Sequence, residues 1–142
     1  MVTENADFRR KIVVSGGWHP HCPETRVNYR GSSQYHNLLV GILAGNADWL
    51  VKSNREAGDG FADIIVETEN PDVGIIMELK YVKDFSAMEQ ACQRALAQIR
   101  DRRYQEYLLN DGRSDITLYG IAFCRKRCRV VAETLDRHPS GV

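Results

Sequence analysis

The chain has 142 residues, 43% apolar and 27% charged, enough for one domain around a single buried core and unlike a disordered polymer. Its 19 Lys+Arg balance 19 Asp+Glu, which excludes coating of nucleic acid by bulk charge and leaves only local basic patches or a partner for that purpose. No apolar run is long enough to span a bilayer and no charged-then-apolar leader is evident, so cytosol is the expected compartment.

Residues 1–32 carry the weakest pattern and are set apart as an N-terminal segment. Within it Lys11–Ser15 reads as a short strand, broken by Gly16-Gly17 and Pro20. His19, His21 and Cys22 are spaced poorly for a closed metal site and read as surface loop. The domain proper is expected over 33–135. From Ser33, Tyr35, Leu38, Leu39, Ile42 and Leu43 recur at helical steps, with Ser32 or Ser33 to cap the start and Gly45 to end the helix in a left-handed turn. Strands follow at Trp49–Glu56 and Phe61–Glu67, joined by the turn around Gly58-Asp59-Gly60. A third strand runs from Ile75 to Val82. Ser86 and Glu89 then have capping-box spacing, and Phe85, Met88, Cys92, Ala95 and Ile99 form the apolar stripe of one long helix reaching Leu108 or Leu109. Such a helix is a natural crossover to a parallel strand. Ile116–Phe123 and Cys128–Ala132 read as the last strands, with a basic turn between them, and 136–142 as a frayed tail. Cys22, Cys92, Cys124 and Cys128 are too few for a disulfide framework and suit a reduced compartment. Cys124 and Cys128 read as packing thiols rather than zinc ligands.

One strand of this mixed α/β domain carries chemistry in an apolar run. Glu78 and Lys80 are two apart and leave the same face. A turn at Gly58-Asp59 pairs Glu56 with Phe61 and sets Glu56 and Asp63 as diagonal neighbours roughly 7–8 Å apart. If the third strand packs beside the second with that face aligned, Asp63, Glu78 and Lys80 converge. Two carboxylates and the carbonyl of Leu79 suit a hard cation such as Mg²⁺ or Mn²⁺. Such a cation acidifies water and offsets phosphate charge, and a nearby amine steadies the developing anion. On spacing alone, a chance Asp with a later Glu-x-Lys is the commoner explanation.

From Tyr35 to Val131 the chain resembles the PD-(D/E)xK nuclease domain found at the C-terminus of AAA-ATPase-like bacterial proteins. The resemblance is carried by ordered blocks: Tyr35-His36, Ser53 to Gly60, Ala62-Asp63-Ile64-Ile65, Glu78-Leu79-Lys80-Tyr81, Arg94 to Ile99, Tyr104, and Tyr119 to Phe123. It implies a restriction-endonuclease-like mixed sheet of about five strands flanked by helices, with an αβββαβ core. It also implies a metal-dependent nuclease hydrolysing phosphodiester bonds of DNA. Asp63, Glu78, Lys80 and Gln98 are then the catalytic set, with Asp63, Glu78 and the Leu79 carbonyl on Mg²⁺ or Mn²⁺, and His36, Tyr104 and Glu56 as auxiliaries. The implied partners are nucleic acid (DNA before RNA), an AAA-ATPase-like protein and a second copy of the chain. Arg100 and Arg103 on the long helix, beside Arg94 and Arg102, are candidate phosphate contacts. So are Arg125, Lys126 and Arg127 in the last hairpin. A solvated face paired with acidic neighbours is the competing reading for both groups. Two positions depart from the family pattern: Ser32, four residues before His36, stands where a Glu is usual, and Phe61 where an Arg is usual. Glu56 is the stand-in for the missing carboxylate. The alternative implied by these departures is a catalytically impaired nuclease-fold module that binds nucleic acid or a protein partner.

Overall fold

The computed structural model describes residues 7–17 and 31–136. One six-stranded sheet organises them, in the order β1-β6-β5-β4-β3-β2. Its strands are β1 (Asp7–Gly17), β2 (Trp49–Ala57), β3 (Gly60–Thr68), β4 (Val73–Tyr81), β5 (Asp115–Cys124) and β6 (Arg127–Asp136). Only β4 and β5 run parallel; every other neighbour is antiparallel. The connection between the parallel pair holds a 3-10 turn (Phe85–Ala87), α2 (Met88–Asp101) and α3 (Gln105–Asn110), which is the crossover a parallel pairing requires. Helix α1 (Gly31–Ala44) precedes β2.

The family resemblance implies about five strands, and β1 makes a sixth. It extends well past Lys11–Ser15 and pairs along its length with β6, with a register irregularity between Arg9 and Lys11. The N-terminal segment therefore contributes to the sheet. The sequence 19–22, read as loop, lies outside the described residues, as does 137–142.

Each face of the sheet has its own core, and strand parity assigns the residues. On one face Ile65, Ile76, Leu118, Ala122 and Val131 bury against Met88, Ala91, Cys92, Leu96 and Ile99 of α2. On the other, Ile64, Val66, Met77, Leu79 and Ile121 meet Leu39, Val40 and Leu43 of α1. Cys124 belongs to the first core and Cys128 to the second, so the two thiols face apart and pack, as expected.

Three local expectations are corrected. Leu38 and Ile42 are exposed, and the buried edge of α1 runs through Leu39, Val40 and Leu43 instead. Gly45 is not left-handed: its amide donates to the Ile42 carbonyl in a closing turn. The Ser86–Glu89 capping box does not form. The Asp84 carboxylate accepts from the Ser86 amide, Ala87 occupies the cap of α2 without a side-chain bond, and Glu89 pairs with Arg129.

The long helix is also not continuous. Arg103 adopts φ 54°, which ends α2 before α3 begins. The break is fixed by partners in the β2–β3 turn: the Asp59 amide donates to the Arg102 carbonyl at 2.8 Å, and the Asp59 carboxylate accepts two bonds of 3.0 Å from the Arg103 guanidinium. Uninterrupted helix would have used the Arg102 carbonyl internally.

How close α2 lies to the sheet is set by Gly120 on β5, the residue registered beside Glu78. A Cβ there would sit 2.3 Å from the Cys92 carbonyl oxygen and 3.0 Å from Leu96 Cγ. Gly120→Ala is expected to destabilise the protein by about 1–3 kcal/mol through overpacking. A urea midpoint equal to that of the unmodified chain would show that α2 is free to move outward.

Candidate active site

Strands β3 and β4 part company at one point, and the candidate residues lie there. Their ladder runs from Glu67–Gly74 to Ile64–Met77 and stops. Just beyond, the Asp63 side chain takes over from the backbone: its Oδ2 accepts from the Leu79 amide at 2.9 Å. In a strand the N–H and C=O of one residue point to the same side. The Leu79 carbonyl is therefore directed to the gap that Asp63 occupies, as a backbone ligand would need.

By parity Asp63 shares the face of Ile65, and Glu78 and Lys80 share that of Ile76, so all three belong to the α2 side. The β2–β3 register is the expected one, with Glu56 opposite Phe61. Between the paired positions Ser53–Ile64 and Arg55–Ala62, Asn54 is left-handed at φ 47°. From the opposite layer, His36 Nε2 lies 3.1 Å from the Asp63 carbonyl oxygen and 3.1 Å from Ser53 Oγ. A carbonyl only accepts, so Nε2 carries the proton in that contact. His36 thus holds the backbone of Asp63 and is not aimed as a ligand.

Glu78 is 3% exposed, the one buried charged residue among the described side chains. Its Oε1 is 3.4 Å from Lys80 Nζ, while Oε2 is buried with no hydrogen-bond partner among the described groups. Burial, reinforced by the charge of Asp63 and opposed by Lys80 and the Asp63 backbone amide, raises its pKa from 4.5 to about 7. Lys80 Nζ donates to Gln98 Oε1 at 2.5 Å, and Gln98 Nε2 donates to the Tyr104 hydroxyl at 3.2 Å. A polar chain thus runs from Glu78 through Lys80 and Gln98 to Tyr104, whose ring is buried beside Gly60. Tyr81 faces the other way, stacked on Phe123 beside Tyr35. Burial, with added charge from Asp63 and Tyr35, raises its phenol pKa above the ordinary value and keeps it neutral.

The auxiliary and phosphate-contact expectations fare unevenly. Glu56 is exposed, and among the described residues no three His, Cys, Asp or Glu side chains gather as a ligand group. Arg100 is tied to Glu133, and Arg103 to Asp59 and Glu106, so both brace the fold rather than offering a free cation. Arg125, Lys126 and Arg127 are exposed on the β5–β6 turn. The guanidinium of Arg127 lies 4.1 Å and that of Arg125 5.8 Å from the ring centre of exposed Phe85. Tyr35 donates to the Arg125 carbonyl at 2.5 Å and anchors that turn.

One feature escaped the sequence reading: an open cleft beside Gln98, lined by Phe61, Arg94, Arg102 and Tyr104 among others. The signal was a Phe directly after the Gly58–Gly60 turn, on the expected site face, where an apolar ring has no core to enter.

No curated protein and no solved structure matches the chain. A family model described as the PD-(D/E)XK nuclease superfamily matches residues 32–133. Because that match runs from the first turn of α1 into β6, the chain belongs to the PD-(D/E)XK nuclease superfamily.

Proposed function

We propose that the protein is a divalent-metal-dependent nuclease that hydrolyses phosphodiester bonds of DNA. The observation that carries this reading is the meeting of Asp63, Glu78 and Lys80 where β3 leaves β4, with one Glu78 oxygen buried and unpartnered. A buried carboxylate oxygen without a donor costs free energy that a cation would recover. Asp63 commits one oxygen to Leu79 and keeps the other, so the donor set is hard oxygen throughout and fits Mg²⁺ or Mn²⁺. Asp63, Glu78 and the Leu79 carbonyl would hold that ion. When bound, a divalent cation acidifies water for attack on phosphorus and neutralises charge on the phosphate.

The chain's own residues supply the rest. The Leu79 amide fixes the rotamer of Asp63, and His36 fixes its backbone. Gln98 and Glu78 restrain the Lys80 amine, which presents a point cation to the phosphate oxygens and orients the nucleophile. The Lys80 ammonium can only donate, so it meets the Gln98 oxygen, and the Gln98 nitrogen donates to the Tyr104 hydroxyl.

Calorimetric titration with Mn²⁺ tests the proposal. Saturable binding is expected for the unmodified protein and its loss is expected in Asp63→Ala. No binding to the unmodified protein would overturn the enzymatic reading. It would support the second one, a nuclease-fold binding module, which the lack of a three-ligand cluster among the described residues favours.

A further inference from the structure

The cleft beside Gln98 has a volume of about 750 Å³ and is lined by residues of the β2–β3 turn, α2 and the α2–α3 junction. Its walls are rigid. Gly58, at φ 52°, lies so close to the junction that an added Cβ would sit 2.3 Å from the Arg102 carbonyl oxygen. Asp59 is bonded to the same junction through its amide and its carboxylate, and Gly60 rests on the Tyr104 ring. This pinned turn holds Phe61 outward at 64% exposed, the largest exposure of any large apolar residue described. A ring so exposed contributes little to folding and stands ready for an outside partner.

The charges around it point to the partner. Arg94 and Arg102 form no ion pair among the described residues, whereas Asp59 is engaged by Arg103. That leaves two guanidinium groups against the one remaining lining carboxylate, Asp101. Gln98 lines the cleft and also holds the Lys80 amine, so whatever enters lies next to the reacting centre. An aromatic face, two cations and a rigid trough suit a nucleotide. The base must be unpaired, because a base inside a duplex has both faces covered by its neighbours and shows only its edges in the grooves.

From this geometry we infer that the cleft binds an unpaired nucleotide next to the scissile phosphate, its base stacked on Phe61 and its phosphates on Arg94 and Arg102. The inference rests on the nuclease reading above and narrows its substrate to single-stranded or frayed nucleic acid.

Fluorescence anisotropy of labelled oligo(dT) and oligo(U), against a blunt duplex, in chelator, tests binding without turnover. The unmodified protein is expected to bind a single strand more tightly than the duplex. Phe61→Ala is expected to weaken single-strand binding by roughly 10- to 100-fold, and Phe61→Trp to retain it. Since Phe61 is exposed, its removal should leave the fold and Mn²⁺ binding unchanged, which calorimetry on the same variant would show. Undiminished affinity in Phe61→Ala, a preference for duplex, or no binding to either strand type would overturn the inference. Each of those results would leave the metal reading to its own titration.

Discussion

Lys80→Ala is expected to lower Mg²⁺-dependent cleavage by about 10²- to 10³-fold while leaving the protein folded and still able to bind Mn²⁺. The size follows from removing one preorganised cation or donor aimed at charge that develops during reaction. Metal binding should survive because Lys80 is not an oxygen donor; its loss also removes a positive charge that competes with a cation for Glu78. Asp63→Ala should give the opposite pairing of results, with activity and cation binding lost together. Gln98→Ala should fall between, near 10-fold, since it holds the Lys80 amine rather than supplying a charge or a metal ligand itself. A DNA cleavage assay with calorimetry on the same preparations reads the whole series. Lys80→Ala that cuts within a few-fold of the unmodified enzyme would remove the amine from the mechanism.

Much of this site was legible because strand parity is a rigid rule. Glu78 and Lys80 two apart share a face whatever else the chain does, and a turn at Gly58–Gly60 sets the Glu56–Phe61 register by counting alone. What counting could not give is where a ladder ends. The Asp63–Leu79 bond exists because β3 leaves β4 after Ile64–Met77, a separation with no signature in either strand's composition. The same limit explains the helix break at Arg103. Arg100, Asp101, Arg102 and Arg103 are adequate helix residues, and the interruption comes from a turn more than forty residues upstream in sequence. Tertiary partners overrode local preference there. Gly120 is an intermediate case. A lone glycine inside an apolar strand marks close approach by a neighbour, but only the structure names the Cys92 carbonyl as that neighbour. On α1 the apolar period was visible while its phase was not: Leu38 and Ile42 fit the stripe by spacing yet lie outside.

The second large effect concerns stability and its dependence on pH. Glu78 is buried without a partner for Oε2, and its pKa rises from 4.5 to about 7, chiefly through burial and then through the charge of Asp63. The folded protein therefore binds this proton more tightly than the unfolded chain does. Stability from this group is greatest below about pH 4.5 and declines as pH rises through about 7. The full difference is on the order of 3 kcal/mol for the metal-free protein. Glu78→Gln keeps the shape and removes the charge, so in chelator at pH 8 it should be more stable than the unmodified protein by about that amount. Near pH 4 the two should nearly coincide. Chemical denaturation of both proteins across this range reads Glu78 together with its coupled neighbours Asp63 and Lys80, because titrations of groups not coupled to it cancel in the difference. Added Mn²⁺ should then stabilise the unmodified protein far more than Glu78→Gln, since binding to the folded state alone raises its stability. If the difference between the two proteins stays flat from pH 4 to 8, the Glu78 carboxylate is not held uncompensated in the fold. Its buried oxygen would then give no reason to expect a cation there.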